Sequence, residues 1–94
     1  MSLFAYNNLW KEVRCLLFDD KTVGGTIKSI RKSKGISQEV LSGLAGIART
    51  HLTMIENGTK QANFATICKI ASAFDIKPSE LVRKMEEYAE GEQK

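Results

Sequence analysis

Thr50, Thr53, Met54 and Asn57 recur at intervals that place them on one side of a helix turning about 100° per residue, with Arg49 and His51 on the flanks. The opposite side of that helix carries Leu52 and Ile55. The outward types suit the edges of nucleic-acid bases in a major groove. A guanidinium pairs bidentately with guanine, a threonine hydroxyl accepts from or donates to several bases, and a methionine side chain can touch a thymine methyl. Arg49, Thr50, Thr53 and Met54 are therefore candidate base contacts. His51 lies on the flank of the stripe, where a phosphate contact is open to it. No nucleophile or orienting carboxylate stands at a recognisable spacing from it, so the histidine does not suggest catalysis. The chain does not read as an enzyme.

Such a stripe needs a helix held at a fixed angle, and the residues before it supply one. Ser37 is a suitable N-cap, and Leu41, Leu44 and Ala45 share a face before Gly46 offers the left-handed residue that ends a helix. Gly58 closes the following helix in the same way. The spacing predicts two short helices, 38–45 and 49–57, joined by a sharp turn. Gln38 sits beside Ser37 at the first helix's N-terminus, where the amide and the helix end can together hold a phosphate oxygen.

With these residues in view, the chain resembles the phage repressor and Cro (XRE) family of helix-turn-helix proteins. The resemblance spans about residues 23–82 and rests on Ile27, Ile30, Arg31, Gly35, Ser37, Gln38, Leu41, Ala45, Gly46, Leu52, Ile55, Glu56 and Gly58, with Ile67, Ile70, Ala71 and Leu81 downstream. It implies an all-α, compact five-helix lambda-repressor-like domain that binds double-stranded DNA as a transcription regulator. The recognition helix would lie in the major groove, with a homodimer on a palindromic operator. It also implies backbone contacts from Gln38 and from Asn57, Thr59 and Lys60, and an architectural ion pair between Arg31 and Glu56. The chain departs from the family at Ala48, where a serine or threonine commonly caps the recognition helix, at Ser42, often alanine, and at Asp75, often glycine. Loss of a cap at Ala48 costs about 1 kcal/mol locally.

Composition agrees with a polyanion partner. The net charge is +3, but residues 21–84 hold eleven basic and four acidic side chains (+7), whereas residues 1–20 are at −1 and residues 85–94 at −3. Phosphates neutralised by Lys or Arg release counterions, so a basic segment of this kind favours DNA. Ninety-four residues fit one domain. Cys15 and Cys68 are isolated and there is one histidine, which suggests neither a zinc site nor a disulfide framework. No cofactor is expected. Polar residues interrupt the apolar N-terminus, and no run approaches membrane-spanning length, so the expected location is the cytoplasm.

The remaining helices are placed at 23–34, at 64–74 with Asn63 as N-cap, and at 78–89 with Pro78 in the first turn. The core is expected from Ile27, Ile30, Leu41, Ala45, Ile47, Leu52, Ile55, Ile67, Ile70, Ala71, Phe74, Ile76 and Leu81, with residues 90–94 frayed. Three segments follow: an N-terminal amphipathic helix and linker (1–21), the helix-turn-helix domain (22–84), and the end of the last helix with an acidic tail (85–94). Residues 8–18 carry a further apolar stripe, Leu9, Trp10, Val13, Leu16 and Leu17, which needs a surface. Val40 and Leu44 offer one, within a subunit or across a dimer. Leu81, Met85 and Tyr88 are open either to pairing or to completing the core. The competing function is a protein-interaction module, such as an antitoxin that also autoregulates, with a partner bound through the N-terminal helix. Phage repressors and restriction-modification controllers are alternatives of the same size.

Overall fold

The computed structural model describes residues 19–92, which form five helices and no strand. They are α1 (Asp20–Ser33), α2 (Gln38–Ala45), α3 (Arg49–Glu56), α4 (Phe64–Ala73) and α5 (Pro78–Glu92). The expected helix at 8–18 lies outside the described residues. α1 packs on α3 and α5, α2 packs on α3 and α4, and α4 packs on α5. The recognition candidate α3 is thus supported from two sides, by α1 and by α2.

Three of the starts have a side-chain cap. Asp19 accepts the Thr22 N–H at 2.7 Å, Ser37 accepts from Val40 at 3.1 Å, and Asn63 accepts from Thr66 at 2.8 Å. α1 begins earlier than the spacing of its apolar residues predicts, because Asp19 caps it four residues ahead of Val23. That hydrogen bond to the Thr22 backbone is also the main reason the Asp19 carboxyl titrates below the usual carboxylate range. α5 continues through residues 90–92, which were expected to fray, and its Ala89 is buried.

The ends are equally local. Gly46 adopts φ 71° at the corner between α2 and α3, and the Ile47 N–H returns to the Ser42 carbonyl at 3.1 Å. After α4, Asp75 takes the left-handed conformation at φ 60° where a glycine would do so without side-chain strain.

The interior is one apolar cluster. Ile27, Leu41, Leu52, Ile55, Ile70, Ala71, Phe74 and Leu81 are almost completely removed from solvent, and Ile67 and Ala45 nearly so. Ile30, Ile47 and Ile76, expected inside, are half-buried and pack on the rim of that cluster. Met85 is buried with Leu81, and Tyr88 is half-buried, so the stripe of α5 completes the core instead of standing free for pairing.

Candidate nucleic-acid interface

α3 is divided along its length as well as across its faces. Leu52 and Ile55 insert into the core, while Arg49, Thr50 and Met54 are exposed and His51 and Thr53 are half-buried. At the N-terminal end Ala48 provides no side-chain cap. Among the described residues, Arg49 and Thr50 therefore stand exposed on a first turn without a side-chain cap.

The C-terminal end is held by charge. Arg31 of α1 donates through Nε to Glu56 Oε2 at 2.8 Å and through Nη2 to Oε1 at 3.0 Å, the two-pronged match of a guanidinium to a carboxylate. Its Nη1 donates to the Ile36 carbonyl at 3.0 Å, in the loop that leads into α2. The Glu56 side chain is fully buried and that of Arg31 is about 10% exposed. One guanidinium thereby fixes α1, the loop before α2 and the end of α3.

Gln38 joins this cluster. Its Nε2 donates to Glu56 Oε1 at 3.0 Å, and its Oε1 accepts from Thr53 Oγ1 at 3.0 Å. Every polar side-chain atom buried among the described residues has a hydrogen-bond partner. The sequence pointed Gln38 toward a phosphate and Thr53 outward, whereas the structure turns the two toward each other. Gln38 is half-buried and keeps one amide N–H beyond the bond to Glu56.

Close packing adds a second hold that the sequence reading passed over. Gly24 of α1 lies so near the Ile55 carbonyl that a Cβ there would collide with it, and would also come within 3.0 Å of the Glu56 carbonyl. The neighbouring Gly25 leaves room for the Tyr88 ring of α5, whose hydroxyl would stand 2.5 Å from a Cβ. Two glycines inside a helix sacrifice about 1 kcal/mol each in propensity, and that cost was the available signal that α1 meets its neighbours here through bare backbone.

The remaining expected contacts are exposed. Ser37 is exposed and its hydroxyl caps α2. Asn57 is exposed at the end of α3, Lys60 is exposed, and Thr59 donates its hydroxyl to the Met54 carbonyl at 3.1 Å.

This arrangement of α2, a glycine corner and α3 is matched by the family model described as Helix-turn-helix, over residues 27–81. The chain belongs to this helix-turn-helix family. A 10 kDa protein of the ImmF control region of Bacillus phage phi105 is 36% identical over 60 residues, 64% of this chain and 67% of that protein. An HTH-type transcriptional regulator of Sinorhizobium fredii, y4dJ, is 28% identical over 67 residues, 71% of this chain and 87% of its own. Among solved structures, the restriction-modification controller C.AhdI of Aeromonas hydrophila superposes with a TM-score of 0.63 at 35% identity, covering 66% of this chain and 94% of that one. The protein is a helix-turn-helix transcription regulator of the XRE type. Among the described residues no three His, Cys, Asp or Glu side chains gather as a metal site, and no helix is long and apolar enough to cross a membrane.

Proposed function

We propose that the chain regulates transcription by binding a specific double-stranded DNA sequence as a homodimer, with the exposed face of α3 in the major groove. The observation that carries this reading is the division of α3. Its apolar face and its C-terminal carboxylate are committed to the scaffold, and Arg49, Thr50 and Met54 are left outward. Arg49 would take guanine by a two-pronged contact, and Thr50 and Met54 would add contacts to neighbouring bases. The amide of Gln38 at the start of α2, together with Ser37, His51, Asn57, Thr59 and Lys60, would fix register on the phosphates.

Two subunits are part of the proposal because one recognition helix touches few base pairs. A two-fold arrangement doubles the site and sets half-sites about 34 Å, one helical turn, apart or a multiple of that. The phage control-region protein and the restriction-modification controller among the relatives favour a regulator of a small, dedicated set of genes.

Selection of bound sequences from random duplex DNA, with sedimentation at the binding concentration, tests both parts. The expected result is an inverted repeat bound by a dimer. A monomer that binds an isolated half-site with full affinity would refute the dimer, and an unenriched pool would refute sequence-specific binding.

A further inference from the structure

The hydrogen bonds around Glu56 fix the polarity of a hydroxyl on the recognition helix. Glu56 Oε1 receives both Arg31 Nη2 and Gln38 Nε2, each at 3.0 Å, while Oε2 receives Arg31 Nε at 2.8 Å. A carboxylate paired with a guanidinium is an acceptor only. Gln38 must therefore present its NH2 group to Glu56, which sends its carbonyl oxygen to the other side. Thr53 Oγ1 lies 3.0 Å from that oxygen. It also lies 3.0 Å from the Arg49 backbone carbonyl. Both neighbours are acceptors, and a hydroxyl has one proton. Whichever oxygen takes it, the proton is retained inside the protein.

We propose that Thr53 is a specificity-determining residue that offers DNA an acceptor lone pair and a methyl group but no donor. The proposal rests on the reading of α3 as the recognition helix and deepens it. In the major groove, adenine N6 and cytosine N4 carry donors, thymine carries a methyl, and guanine shows only the acceptors O6 and N7. Thr53 accordingly favours an amino group or a thymine methyl. Set against guanine it would place acceptor against acceptor, a rejection of the wrong base in addition to attraction of the right one. The orientation originates two residues away from DNA, in the pairing of Glu56 with Arg31, and passes through the Gln38 amide.

The test uses the full chain and the duplex selected by it. Thr53→Val keeps the branched shape and loses the oxygen, and Thr53→Ser keeps the oxygen and loses the methyl. Thermal unfolding checks that each is folded, and either alone suffices to locate the base pair whose preference changes. At that pair, analogues are introduced on each strand in turn: a base lacking its major-groove amino group, deoxyuridine for thymidine, and a 7-deazapurine that lacks the N7 acceptor.

The expected result is a loss of about three- to tenfold in wild-type affinity when the amino group or the methyl is removed. The amino effect disappears in Thr53→Val and the methyl effect in Thr53→Ser. The 7-deazapurine should change wild type and Thr53→Val equally. A 7-deazapurine penalty that vanishes in Thr53→Val would show that Thr53 donates to a base and would overturn the proposal. So would a selected sequence in which neither variant alters any position. A wild-type pool with no enriched sequence would remove the recognition-helix reading itself, an outcome distinct from the other two.

Discussion

The two ends of α3 are built on opposite plans. At the C-terminal end, Glu56 is buried, doubly bonded to Arg31 and touched by Gln38, and Gly24 brings the α1 backbone against the last carbonyls. At the N-terminal end, Ala48 leaves the first turn without a side-chain cap, and Arg49 and Thr50 are exposed. The starts of α1, α2 and α4 all carry side-chain caps, which the start of α3 lacks. A helix that must enter a groove can tolerate rigidity at the end that stays in the protein. Unfilled N–H groups and positive dipole belong at the end that approaches the polyanion.

The strongest way to break the comparison is at the anchored end. Glu56→Ala should destabilise the protein by about 3–5 kcal/mol in urea unfolding, because it leaves a largely buried guanidinium without its carboxylate. A double-mutant cycle with Arg31→Ala should show strong coupling. Losses below about 0.5 kcal/mol without coupling would reduce the pair to surface charges.

Gly24→Ala comes next. Its methyl would strike the Ile55 carbonyl, and backbone cannot move aside as a flexible side chain does. A loss of about 1–3 kcal/mol is expected, the usual cost of overpacking. Alanine is the better helix former by about 1 kcal/mol, so a net gain in stability would mean that α1 and α3 do not touch through backbone.

The open end should respond in the opposite direction. Ala48→Ser supplies the missing cap and should raise stability by about 0.5–1 kcal/mol. An unchanged urea midpoint would mean that the first turn of α3 is already satisfied.

Asp75→Gly gives the smallest effect, a gain of about 0.5 kcal/mol, because glycine accepts φ 60° without the steric penalty of a Cβ. It lies outside α3 and serves as a control, since DNA affinity should not change with it. A loss of stability would show that the Asp75 side chain contributes more than its backbone strain costs.

Much of this was legible in the residue pattern because the relevant signals are local. Ser37, Gly46 and Asn63 mark helix ends by chemistry that acts over three or four residues, and the three-four spacing of Leu52 and Ile55 sets the inner face of α3. The contact of Arg31 with Glu56 came from the family pattern and not from spacing, since twenty-five residues separate them. Two features were not legible. Thr53 falls on the outward side by helical phase, but its partner Gln38 is fifteen residues away, and only the packing of α2 on α3 brings the amide to the hydroxyl. The start of α1 was placed too late because apolar periodicity begins at Val23, whereas the polar Asp19 determines where the helix begins.

The claim that the exposed face of α3 reads bases while the buried Glu56 pair holds the helix is tested most directly by Arg49→Ala. Its binding should be measured on the selected duplex and on a panel with every single-base change. The account predicts a loss of about 1–3 kcal/mol on the best site and a relaxed preference at one base pair per half-site, with unfolding free energy unchanged. An equal loss on every sequence in the panel would assign Arg49 to the phosphate backbone and contradict the account.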